Sequence, residues 1–150
     1  MSIGSSRVSA ASVAAALVFL AAAPVSAKEC YAPDARSQER AFSRAVTTEG
    51  GKVLWLAGDT GDPQSNFEQQ VREIFSNLDK TIKAQGGTGL SDMVTMTVFI
   101  TDTRLGDRFT ELRKETFKQC FPASALITVT GLAQPGLLIE IQGIAIVGGK

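Results

Sequence analysis

Two stretches near the C-terminus decide the fold: FPASALITV, residues 121–129, and LLIEIQGIAIV, residues 137–147. The first mixes small and β-branched residues behind Pro122. Gly131, Gln134, Pro135 and Gly136 then supply turn chemistry, and the second is a long apolar run. Together they read as a strand pair joined by a turn. One residue is out of place. Glu140 sits in the middle of the apolar run, and burying a carboxylate is costly unless it has a partner or a role.

Working outward, the helix pattern is clearest from Ser65 to Gln85. Phe67, Val71, Ile74, Phe75, Leu78 and Ile82 recur at helical spacing, Ser65 with Glu68 has the form of a capping box, and Gly86-Gly87 ends the segment. Met93 to Ile100 alternates as a strand, with Val94, Met96, Val98 and Ile100 on one face. Asp102 or Thr103 opens a second helix to about Phe117, with Leu105, Phe109, Leu112 and Thr116 inward. Arg104, Arg108 and Arg113 on that helix read as solvated surface charge. Upstream, residues 41–46 and 53–57 read as short strands, with Glu49-Gly50-Gly51-Lys52 as a hairpin turn between them. The Gly-rich loop from Gly58 to Pro63 lacks the Lys-Ser/Thr ending of a phosphate-binding loop.

The order is therefore β-β-α-β-α-β-β, an α+β layer with two helices on one face of a mixed sheet. The other face is left with Met, Val and Ile residues and needs cover, which a closed cyclic oligomer would supply.

The first 27 of the 150 residues read differently. Arg7 is the only charge before Lys28, an apolar core spans Ala10 to Pro24, and Val25-Ser26-Ala27 has the form of a cleavage site. We expect a signal peptide over 1–27, an extended leader over 28–40, and one domain over 41–150. The core is short for a transmembrane span, so no membrane attachment is expected after cleavage, and the mature chain is expected to be periplasmic or secreted. Losing Arg7 leaves 14 of the 15 basic residues against 15 acidic ones, a net charge of −1. That lacks the basic footprint of a nucleic-acid partner.

The chain has no histidine, which removes Ser-His-Asp triads, Cys-His pairs and most zinc sites. Ser124, without a histidine base, reads as a structural hydroxyl rather than a nucleophile. The two cysteines, Cys30 and Cys120, admit one internal pairing, which would pin the mature N-terminus to the loop before the C-terminal strands. By the chain-entropy account such a bridge is worth on the order of 4 kcal/mol.

Several segments carry a family likeness. Phe42-Ser43-Arg44-Ala45-Val46, Trp55-Leu56-Ala57-Gly58, Gln69 through Leu78 and Asp92-Met93-Val94 resemble the RidA/YjgF/L-PSP family. So do Thr97 through Asp102, Pro122-Ala123 and Ile139 through Ala145. The likeness runs over nearly the whole mature chain, in the family's order and spacing. It implies a chorismate-mutase-like subunit, a homotrimer, and a cleft at each subunit interface. It also implies hydrolysis of enamine or imine intermediates without cofactor or metal, and some relatives are described as ribonucleases.

Position by position, the resemblance keeps Glu140 as the residue that positions water, and Gly58 as a backbone that can approach a ligand. The arginine that grips the substrate carboxylate is Ser124 here, a family cysteine is Leu126, and a family serine is Ala57. A cleft tyrosine aligns with Arg44 and a helix asparagine with Thr110. Two readings follow. Either Arg44 replaces the missing anchor and faces Glu140 across a cleft for a small polar metabolite, or Glu140 pairs with Arg44 and the protein binds rather than catalyses. Binding of a small carboxylate-type molecule is placed ahead of imine deamination, and a ribonuclease or a purely structural trimer comes behind both.

Overall fold

The computed structural model describes residues 28–148, so the expected signal segment lies outside the described residues. Four strands form the main sheet: β3 (Lys52–Thr60), β4 (Met93–Ile100), β5 (Ala123–Thr128) and β6 (Ile139–Val147). Their spatial order is β3-β6-β4-β5. β6 runs antiparallel to both of its neighbours, and β4 with β5 is the parallel pair. A separate ribbon pairs β1 (Lys28–Tyr31) with β2 (Ala45–Thr48). Helices α2 (Phe67–Ala84) and α3 (Gly106–Phe117) cover one face of the main sheet, and a short α1 (Ala35–Glu39) lies between β1 and β2. The expected class, α+β with two helices on a mixed sheet, describes this chain.

α2 forms because its apolar residues share one face: Phe67, Val71, Ile74, Phe75, Leu78 and Ile82 are all buried. Its cap lies one residue beyond the expected Ser65 and Glu68. Asn66 accepts from the Gln69 backbone N–H at 3.0 Å, and the Gln69 side chain accepts from the Asn66 N–H at 3.1 Å. Asn66→Ala should cost about 1 kcal/mol, measured by urea denaturation. An unchanged midpoint would show that packing alone holds this end.

Other expectations need correction. The C-terminal strands are not partners, because β4 lies between β5 and β6. The parallel β4–β5 pairing requires a crossover, and α3 is that crossover. Nor do β2 and β3 form a hairpin. β2 pairs with β1 instead, and residues 41–44 are not strand, with Ala41 in the left-handed region at φ 53°. The leader over 28–40 is extended at its start, as β1, and then turns into the short helix α1. In β4 a register shift between Met93 and Thr95 changes the alternation, so that Met93 joins the core beside Met96, Val98 and Ile100.

Cys30 and Cys120 form the disulfide, with Cα atoms 5.2 Å apart. Ser43 extends the attachment. Its backbone N–H donates to the Pro122 carbonyl and its hydroxyl to the Phe121 carbonyl, which seats the N-terminal segment beside the start of β5.

The sheet face away from the helices is open. Along β3, Leu54 and Leu56 pack toward the helices, so Val53 and Trp55 project the other way and are 49% and 76% exposed. Ile127 on β5 is 41% exposed, opposite Phe99 of β4.

Candidate functional site

The residues singled out from sequence fall into two places. The first is at the β3–β6 end. Ile139 and Ile141 are fully buried against the helices, so Glu140 between them turns to the open face. Its cross-strand neighbours are Thr60 and Phe99. A register shift between Leu56 and Asp59 places Gly58 in a bulge, where the Glu140 carboxylate lies against its backbone. A Cβ on Gly58 would stand only 2.0 Å from Oε1. The absence of a side chain is what lets the carboxylate settle there. Glu140 is half-buried, and its side chain has no hydrogen bond or ion pair among the described residues. An unengaged carboxylate of this kind can accept a proton or orient a water.

The second place is a cleft of about 260 Å³ between α1, α3 and β5, lined by Arg36, Arg40, Phe42, Thr110, Arg113, Ser124 and Leu126. Thr110 and Ser124 meet here as candidates. The Thr110 hydroxyl donates to the Gly106 carbonyl at 3.0 Å within its own helix. Ser124 receives a hydrogen bond from Arg113 Nη1.

Arg113 is the main correction. It is 3% exposed, not a solvated surface charge. Its guanidinium lies 5.0 Å from the centre of the Phe109 ring, and its Nη2 donates to the Arg40 carbonyl. Burial, with the Arg40 charge second, pulls its pKa down to about 10. The sequence carried a signal for this: Arg113 is four residues after Phe109, hence on the same helix face. Arg108, half-exposed, instead ties α3 to α2 through a bidentate pair with Glu68, both contacts at 2.8 Å. Arg104 remains exposed.

Arg44 belongs to neither place. It pairs with Asp34 at 2.8 Å, lies over the Phe42 ring, and holds the Asp34 carboxyl below its usual range through that hydrogen bond. Within the chain it does not pair with Glu140. The two places are also apart from each other. Glu140 and Ser124 lie on opposite faces of the sheet, two strands apart, or roughly 10 Å across it. Among the described residues, no group of three or more His, Cys, Asp or Glu side chains could hold a metal ion.

Comparison with known proteins fits this geometry to a family. The family model described as Endoribonuclease L-PSP matches residues 32–147. The chain belongs to the RidA/YjgF/L-PSP family. Protein DfrA of Myxococcus xanthus is 33% identical over 114 residues, covering 70% of this chain and 84% of that relative. A human relative named 2-iminobutanoate/2-iminopropanoate deaminase is 29% identical over 114 residues, covering 71% of this chain and 80% of its own. Among solved structures, the Rid-family protein YyfB of Yersinia pestis superposes with a TM-score of 0.71 at 22% identity. That match covers 81% of this chain and 99% of the other, and shows the shared fold. In this member of the RidA/YjgF/L-PSP family a helix-borne arginine, Arg113, stands against the serine at 124.

Proposed function

We propose that this protein is an exported homotrimer whose inter-subunit clefts bind a small polar, carboxylate-type metabolite. The observation that carries the reading is the separation of the two half-sites. Gly58 and Glu140 sit toward one edge of the sheet, Thr110 and Ser124 toward the other, and on opposite faces. A second copy laid against the open face could bring the halves together. Exposed Trp55, Val53 and Ile127 give that face a reason to be covered. The Cys30–Cys120 disulfide is in keeping with the periplasm or the cell exterior.

Imine deamination is the second reading. It is favoured by the Arg113 guanidinium, which returns a cation to the neighbourhood of Ser124. In that reaction Glu140 would orient the water that attacks the C=N carbon, and ammonia would leave. The cation is buried behind a serine rather than presented on β5, so we place binding ahead of turnover. The mature chain is expected to elute at three times the subunit mass in light-scattering chromatography, and to accelerate 2-iminobutanoate hydrolysis little in a coupled assay. A monomer would overturn the shared cleft. Rapid turnover that disappears in Glu140→Ala would replace binding with deamination.

A further inference from the structure

We propose that the cleft between α1, α3 and β5 is a site for a small dianion, a dicarboxylate or a phosphate monoester, contacted by Arg36, Arg40 and Ser124 above the Arg113 guanidinium. This deepens the preceding reading by naming a ligand class, but it rests on residues of one subunit.

The argument begins with Arg113. A buried cation is costly without a counter-charge. Yet Arg113 has no carboxylate partner among the described residues, and its buried Nε has no hydrogen-bond acceptor. Its neighbours are a hydroxyl, a carbonyl, a ring face and the Met96 sulfur. None of these neutralises it. Arg36 on α1 and Arg40 at its C-terminal cap, four residues apart, add two more cations to the lining, which contains no acidic residue. One carboxylate, Asp107, pairs with Arg40 from the outside, where its side chain is 87% exposed. Three cations against one carboxylate leave the cleft two positive charges in excess.

Ser124 supplies a directed donor. Its oxygen accepts from Arg113, and its own hydrogen has no acceptor among the described residues, so the hydroxyl can donate toward a ligand. Guanidinium groups match carboxylate and phosphate oxygens in pairs. The volume corresponds to about nine water molecules, which suits a small molecule. The mature net charge of −1 and the confinement of this excess to one cleft disfavour a polyanion.

Isothermal titration of the mature chain with succinate, inorganic phosphate and acetate, at matched ionic strength, tests the site. Succinate or phosphate should bind at least tenfold more tightly than acetate. Tighter succinate assigns a dicarboxylate and tighter phosphate assigns a phosphoryl group. Arg36→Ala, on an exposed position, should weaken the dianion about tenfold, and Arg113→Met should abolish its binding. Asp107→Asn should tighten it several-fold by freeing the charge of Arg40, an effect that a purely structural role would not produce. Equal affinity for acetate and the dianions, or no response to both Arg36→Ala and Asp107→Asn, would overturn the proposal. A missing trimer, or rapid imine turnover that disappears in Glu140→Ala, would count against the preceding reading alone.

Discussion

Replacing Cys30 and Cys120 together by serine should lower unfolding stability by about 4 kcal/mol and the melting temperature by roughly 10–20 °C. The bridge joins positions 90 residues apart, so its removal returns a large amount of conformational freedom to the unfolded chain. The loss would be smaller if the N-terminal segment were a loose appendage that frayed separately. It is not loose. Lys28 Nζ donates to the Ser91 and Met93 carbonyls at 2.8 and 2.7 Å, Ser37 and Ala41 are fully buried, and Ser43 bonds to Phe121 and Pro122. Bridge and core therefore unfold as one unit. Thermal denaturation of the serine pair, and of the native chain with and without reductant, measures the effect. A loss below about 1 kcal/mol would show that the segment detaches before the core melts.

Gly143→Ala should cost about 3 kcal/mol. A Cβ at Gly143 would meet the Thr95 carbonyl oxygen at 2.3 Å and the Met93 side chain at 2.8 Å. Thr95 belongs to the central strand β4 and is held by β6 on one side and β5 on the other. Its carbonyl cannot recede without disturbing both ladders. The gain from a less flexible unfolded chain is only about 0.4–1 kcal/mol and does not offset this. Gly58→Ala makes the contrast. Its Cβ would come closer still, but to the end of the Glu140 side chain, which can rotate away. That variant should lose less than about 1 kcal/mol, with displacement of the carboxylate as its main consequence. Urea denaturation of both variants separates the cases. A Gly143→Ala midpoint equal to that of the native chain would show that β4 yields.

Recognition of the family rests on local features that the tertiary structure keeps. The helical spacing from Phe67 to Ile82, the alternation ending at Ile100 and the apolar run around Glu140 each record burial along one element, and periodicity reports such burial directly. The cysteine pairing was legible because two cysteines allow one internal bridge. Strand partners were not legible in the same way. A Gly-Gly turn at 50–51 and a Pro-Gly turn at 135–136 read as hairpins, whereas β2 and β5 find their partners at long range.

By itself, the sequence determined the composition of the layers, the position of the unusual carboxylate and the serine at 124, where the resemblance implies an arginine. Only the tertiary structure decided which side chains meet. It sends Arg44 to Asp34, separates Glu140 from Ser124, and carries Arg113 inward against Ser124 and the Arg40 carbonyl. The physical reason is that periodicity describes one element at a time. The partner of a charge depends on how distant elements close around it, and here α1 and α3 close around β5.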